Sequence, residues 1–410
     1  MKSVTILTIA AMAMAAATGC SHDNPTPSPE PPVKGGEFNE FGFTTTAPVT
    51  LSVDYGDMAG MPANVYFEVY DTCPVEETET AYAKIAGVEP LYAGYTDGQG
   101  RFEGTIELPA YIRKAYVLTP AFYARTLLEA TRSGDMLTAS AESGAPANAA
   151  PASTRAKEYH STAVERDGWK TWLGSYDTTY GSIGYEYDGD LKVKNYGALL
   201  KAHASVFDTT KKCPKEYRSS RDLYLEKSAE VVITLLGSNT CWNSSMGYYY
   251  YKTGNKPKSL ADANVVMIFP NTQDGRWSNS PWESRLYQGV ERGTAVQLIY
   301  YPEIADGSKA GATTVFPADY RIGFVLATNA WTNRLRAGDK KYRAATSDGL
   351  SVNNNGVAYQ TPRTAVFRYT DKKSGINSVL FSFEDHTNDE NFSDVVFTMT
   401  SNPVDAVTDI

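Results

Sequence analysis

Residues 382–401 read SFEDHTNDENFSDVVFTMTS. Val379, Phe381 and Phe383 take alternate positions on the way in, and Val395 and Phe397 resume the same period on the way out. Successive side chains of a strand point to opposite faces, so this stretch predicts a strand, a loop and a returning strand on one apolar core. The loop is crowded with oxygen: Glu384, Asp385, Asp389, Glu390 and Asp394, with Asn388, Asn391 and Ser393 among them.

Working outward, the same period-two pattern recurs along the chain. Val49, Leu51, Val53 and Tyr55 share one face of a candidate strand, as do Val65, Phe67 and Val69. YTDGQGRFEGTIELPA (95–110) places Asp97-Gly98 between alternating runs, a strong hairpin signal because glycine accepts positive φ. Further candidate strands are DLKVK (190–194), AEVVITLL (229–236), NVVMIFPN (264–271), AVQLIYYP (295–302) and IGFVLATNAW (322–331). Asp188-Gly189, Asp274-Gly275, Asp306-Gly307 and Asn355-Gly356 mark turns between them. One helix is conceivable around residues 195–204. The expectation is an all-β protein: a small N-terminal β-sandwich, which in its T-D-x-x-G-x-F pattern at Thr96 to Phe102 resembles the transthyretin- or carboxypeptidase-regulatory-like sandwiches, then a larger antiparallel β-sandwich or jelly roll.

The organisation begins before the strands. MKSVTILTIAAMAMAAATGC (1–20) has a basic start, an apolar run from Val4 to Ala17 and a small-residue cleavage site. That run falls short of the ~20 residues of a spanning helix and reads as a secretory signal over residues 1–19. Its Gly-Cys end resembles a lipobox, which makes Cys20 the acylated first residue of the mature chain and the membrane a partner through that anchor. Residues 20–37, with prolines at 25, 27, 29, 31 and 32, read as a semi-rigid tether. Residues 38–132 are assigned to the N-terminal domain, the Ala/Ser/Gly/Pro-rich 133–154 to a linker, and 155–410 to the C-terminal domain.

A formal net charge of −9 argues against nucleic acid as a partner. With Cys20 lipidated, Cys73, Cys213 and Cys241 remain, and export permits a Cys213–Cys241 disulfide, with three free thiols the competing reading. No C-x-x-C, H-E-x-x-H, G-x-S-x-G or P-loop sequence is present, so no catalytic motif is found. A glycosidase carboxylate pair needs no sequence proximity and stays open as an alternative. Trp242, Trp277 and Trp282 lie among Asn, Ser and Gly, a composition suited to stacking on sugars; core packing is the competing account.

In the acidic loop, Asp389, Asn391 and Ser393 occupy i, i+2 and i+4, as in the first half of an EF-hand loop, and Glu384, Asp385 and Asp394 add charge from the strand ends. An EF-hand proper is excluded, because Asp394 stands where its glycine belongs and the flanks are β. A solvated acidic turn and a Ca²⁺ site both remain open on spacing alone.

GYYYYK (247–252), IFPNT (268–272), VFPADYRIGFVLATNAW (315–331) and the acidic stretch follow in order after TTTAPVTLSVDYG (44–56). Together they resemble the LruC-domain lipoproteins of Gram-negative bacteria. The C-terminal half is similar to a secreted domain of unknown function ending in F-E-D…D-x-[DN]-[YF]-x-D-hydrophobic-V-F. That resemblance implies an envelope lipoprotein with Ca²⁺ in the last motif, where it would serve a structural role; an outer-membrane lipoprotein, with surface exposure open, is the expected location. It implies no enzymatic activity. The expected function is a non-enzymatic binding or structural module for glycan or a surface protein, with a surface-assembly subunit as the alternative and a glycoside hydrolase behind it.

Overall fold

The computed structural model describes residues 45–56, 64–77, 82–141, 169, 171–176, 181–193, 196–202, 208–240, 242–273, 289–331, 342–371, 376–385 and 389–409. Cys20, Cys241, Trp277, Trp282, the signal and tether expected over 1–37, and residues 142–154 of the expected linker lie outside them.

Among the described residues, nine strands precede residue 141: β1 (Thr46–Asp54), β2 (Tyr66–Tyr70), β3 (Val75–Glu77), β4 (Tyr82–Lys84), β5 (Tyr92–Tyr95), β6 (Arg101–Pro109), β7 (Lys114–Leu118), β8 (Leu127–Ser133) and β9 (Met136–Ser140). β3 and β4 form a small hairpin, and the rest make one seven-stranded sheet in the order β5-β2-β7-β8-β9-β1-β6. Alternation along β1 buries Val49, Leu51 and Val53, as the sequence leads one to expect.

The hairpin expected at Asp97-Gly98 forms its turn but not its ladder. Asp97 Oδ1 accepts from the N–H groups of Gln99 and Arg101, and Gly100 takes a left-handed φ of 79°. The strands on either side pair elsewhere: β5 joins β2 and β6 joins β1, at opposite ends of the sheet order. The turn therefore closes the sheet upon itself. Phe102 of β6 packs against Phe67 of β2 and Tyr92 of β5, with ring centroids 5.2 and 5.9 Å away. The expected N-terminal sandwich is thus one curled, nearly closed sheet whose two ends face each other across its core.

The linker expected from residue 133 is also corrected. Residues 136–140 form β9, which pairs antiparallel with β8 and parallel with β1. Leu137 and Ala139 supply apolar side chains to the core on alternate positions, a signal hidden in the sequence by Thr and Ser on the opposite face.

The remaining strands build a sandwich. They are β10 (Thr171–Trp172), β11 (Leu223–Leu225), β12 (Ala229–Ser238), β13 (Ser245–Lys252), β14 (Val266–Phe269), β15 (Ala295–Gln297), β16 (Val315–Phe316), β17 (Tyr320–Ala327), β18 (Arg343–Ala345), β19 (Thr364–Asp371), β20 (Ile376–Phe383), β21 (Val395–Asn402) and β22 (Val407–Asp409). One sheet runs β10-β14-β13-β17-β11-β22, with β18 on β17; the other runs β15-β12-β21-β20-β19, with β16 on β12. Pairing is antiparallel except for β10 with β14. Among the described residues of DLKVK, 190–193, no strand forms, and a six-residue helix, Gly197–Ala202, occupies the segment where one was expected.

Apolar side chains from both sheets fill the space between them, including Ile233 and Leu235 of β12, Tyr248 of β13, Phe324 of β17, Phe381 of β20 and Phe397 of β21. Phe324 and Phe397 meet edge to face at 4.9 Å, a geometry that pairs positive ring edge with negative face. Gly323 stands opposite Tyr249 in the β13–β17 register, and the tyrosine ring fills the space a Cβ would occupy. Each such buried large side chain stabilises by about 1.5–3 kcal/mol.

The second sheet has another apolar face. Ala365, Phe367, Leu380 and Val396 on that face belong to the same cluster as Leu51, Phe67 and Phe122, together with Leu199 and Leu200 of the short helix. Hydrogen bonds cross as well: Thr209 N–H donates to the Pro120 carbonyl at 2.9 Å. The two β-bodies read from sequence share one continuous core. Among the described residues, no helix is long and apolar enough to cross a membrane.

Candidate functional site

β20 and β21 pair in register from Val379↔Met399 to Phe383↔Val395, so Glu384 and Asp394 leave the ladder side by side. What the sequence presents as a polar loop is largely enclosed. Glu384, Asp385 and Asp394 are 1%, 2% and 1% exposed, and Asn391 and Ser393 are buried with them. Asp389 is half-buried.

The alternating oxygens are linked to one another. Asn391 Nδ2 donates to Asp389 Oδ2 at 2.8 Å, and both the N–H and the hydroxyl of Ser393 donate to Asn391 Oδ1 at 2.7 Å. Glu390 and Phe392, between them, take left-handed φ values of 53° and 58°. Phe392 drops into the shared core, and its ring lies 5.2 Å from the Arg218 guanidinium. Glu390 turns the other way, its carboxylate 3.2 Å from Lys212 Nζ and 3.2 Å from Arg218 Nη1.

Three distant segments enclose the carboxylates. Thr240, beyond β12, donates its hydroxyl to Asp385 Oδ2, and Thr328, beyond β17, donates to the Asp385 carbonyl at 3.1 Å. The Asp394 carbonyl accepts from Asn239 N–H and from Ser238 Oγ, each at 3.0 Å. Arg363, itself buried, places Nη2 3.4 Å from Glu384 Oε1. Sequence spacing could not reveal these residues, because chain pairing alone brings them to the loop.

Charge at the site is unbalanced. Glu384, Asp385, Asp389 and Asp394 gather in low-dielectric surroundings, with Arg363 as their buried cation. Burial pushes the Asp385 carboxyl up to about 7. Burial and the neighbouring Asp389 raise Glu384 well above its ordinary range; burial and Asp385 do the same for Asp394. Asp389 is also raised, again chiefly by burial. Among the described residues, Asp385 Oδ1 is enclosed without a hydrogen-bond donor, and Glu384 Oε1 has the 3.4 Å approach of the Arg363 guanidinium in place of one. A buried oxygen in that condition costs about 1–3 kcal/mol, more when charged. Protons or a cation relieve that cost. The donors are all oxygen, the chemistry a hard cation takes. Among the described residues, no three carboxylate, imidazole or thiol groups converge as a ready-made metal cage.

Two other expectations are corrected. Trp242 is 4% exposed, so its ring offers no open face for a sugar; its main chain is held inside by a bond from its N–H to Thr240 Oγ1 and one from Gln273 Nε2 to its carbonyl, each 3.1 Å. Cys213 carries a free, buried thiol, which removes the Cys213–Cys241 bridge. Its N–H donates to the Glu390 carbonyl at 2.8 Å, holding it beneath the acidic loop.

Against families of known proteins, residues 47–141 match a domain of unknown function, DUF8469, and residues 316–402 match another, DUF4114. The first match coincides with the curled sheet through β9, and the second contains the acidic loop. No curated protein and no solved structure matches the chain.

Proposed function

We propose that the chain is an envelope-anchored, non-enzymatic β-module whose C-terminal loop takes up Ca²⁺ as a structural ion. The observation that carries this reading is the enclosure of Glu384, Asp385 and Asp394 around the buried Arg363, with Asp385 Oδ1 lacking a hydrogen-bond donor among the described residues. Ca²⁺ seeks roughly 6–8 oxygens, several from carboxylates. Asp385, Asp389, Asp394 and Glu384 would hold it, with Asn391 and Ser393 oxygens as neutral donors. The ion would supply positive charge where β20, β21 and the loop after β12 meet, fastening the last hairpin to the shared core.

Anchoring rests on the sequence: the signal-like start and Cys20 resemble those of a lipoprotein, and the ordered set of motifs resembles LruC-domain lipoproteins. Acyl chains contribute about 0.8 kcal/mol per buried CH₂, enough for stable tethering when more than one chain is attached. On this reading the module works at the outer membrane surface, binding glycan or another surface protein.

The test is thermal unfolding of the mature chain in millimolar Ca²⁺ and in chelator. Binding to the folded state alone stabilises by about 2.7 kcal/mol at a hundredfold excess over Kd. The expected result is a melting temperature several degrees higher with Ca²⁺ and a smaller rise with Mg²⁺. Coincident curves would reject the calcium reading. For the anchor, Cys20→Ser protein should leave the membrane fraction; retention at the wild-type level would reject it.

A further inference from the structure

A pocket of about 270 Å³ opens among Arg221, Asp222, Tyr251, Lys256, Arg321 and Ser347, at the β11, β13 and β17 side of the sandwich. Its floor is the Asp222 carboxylate, 5% exposed. Four hydroxyls donate to it: Tyr251 at 2.8 Å, Tyr249 at 3.4 Å, Thr346 at 2.5 Å, and Ser347. Asp222 is thereby satisfied by neutral donors. The Tyr251 and Ser347 protons are committed to Asp222, so these two hydroxyls turn lone pairs, not hydrogens, toward a ligand.

The cations are placed differently. Arg321 is held by a 3.3 Å bond from Nη1 to the Asp222 carbonyl and by its guanidinium lying 5.1 Å from the centre of the Tyr224 ring. Lys256 reaches across the mouth to the Asp348 carbonyl, and Arg221 is exposed beside it. Three cations face Asp222 and the rim residue Asp348, in a chain whose net charge is −9. Cationic donors beside neutral acceptors match a ligand that combines an oxyanion with hydroxyl groups. The volume lies just below the roughly 300–1,000 Å³ of sites for drug-sized ligands, which suits a single sugar unit.

We propose that this pocket binds an acidic sugar, its carboxylate or phosphate on Arg221, Lys256 and Arg321 and its hydroxyls on Tyr251 and Ser347. The assignment narrows the binding-module reading to one ligand class and rests on that reading, while standing independent of the calcium loop.

The experiment is calorimetric titration of the mature chain, at low salt and in Ca²⁺, with glucuronate, glucose 6-phosphate, glucose and inorganic phosphate. At least one of the two acidic sugars should bind, and whichever does identifies the oxyanion preferred. Glucose and inorganic phosphate should each bind at least about tenfold more weakly than that sugar. The double variant Arg221→Gln/Lys256→Gln alters only exposed side chains, so it should melt with the wild type and lose at least about tenfold in affinity. Binding of neither acidic sugar overturns the proposal, as does glucose or phosphate binding as tightly, or a double variant with unchanged affinity. Because Ca²⁺ stabilisation is measured on the same preparation, failure here with that stabilisation intact leaves the calcium reading standing.

Discussion

The main-chain N–H of Asp385 donates to Asp394 Oδ2 across 2.7 Å, joining the second residue past β20 to the one that enters β21. This bond stabilises one carboxylate but also brings a second, on Asp385 itself, into the same enclosure. The loop is thus held by geometry that its own charges oppose.

Relief of that opposition should show as a reversal of sign. Asp394→Asn and Asp385→Asn keep an acceptor oxygen while deleting a charge. In chelator each variant is expected to unfold at or above the wild-type temperature, since repulsion falls. In saturating Ca²⁺ each should lose most of the wild-type increment, which is about 2.7 kcal/mol at a hundredfold excess over Kd. Variants destabilised equally in both buffers would point to a hydrogen-bonded turn without an ion.

The raised carboxyl groups also set a pH dependence. In the folded chain Asp385 holds its proton up to about 7, whereas an unfolded aspartate releases it near 3.9. The folded state therefore binds more protons across that interval, and stability without metal should fall as pH rises from about 4 to about 7. Glu384 and Asp394, also raised, act in the same direction. Ca²⁺ displaces those protons, so its stabilising increment should grow over the same window. Urea titrations at stepped pH, with and without Ca²⁺, measure both slopes.

Thr126, in the bend just before β8, donates to Asn239 Oδ1 at 2.9 Å, and Asn239 N–H donates to the Asp394 carbonyl. Thr126→Val removes the donor from a buried oxygen and is expected to cost about 1–3 kcal/mol. Because the two bodies share a core, the loss should appear as a shift of one cooperative transition. Equilibrium unfolding followed by tryptophan fluorescence and by far-ultraviolet dichroism should give coincident curves; two separated transitions would show independent bodies.

Burial pushes the Cys213 thiol up to about 12. The thiolate is the reacting species, so native protein at pH 8 should leave Cys213 unmodified by a maleimide. Peptide mapping after labelling in denaturant should recover it fully modified, and non-reducing maps should place it in no disulfide.

Short-range pattern in the sequence was enough for the all-β class, for most sandwich strands, and for the acidic residues that gather after Phe383. Those features depend on alternation and on neighbours a few positions apart, which the chain carries in its own order. Partner choice does not. Asp97-Gly98 reads as a hairpin because the turn chemistry is local, yet β5 and β6 pair with β2 and β1 because closing the sheet packs the partly buried Phe102 over the buried Phe67. Residues 133–141 read as linker because Ala, Ser and Thr are weak signals, until β1 and β8 supply neighbours for both edges of β9. Enclosure of Glu384, Asp385 and Asp394 by Thr240, Thr328 and Arg363, and the hydroxyl shell around Asp222, arise from segments far apart in the chain. The sequence by itself determined which side chains could carry charge; the tertiary structure decided which charges are taken out of water, because burial is a property of packed neighbours rather than of residue type.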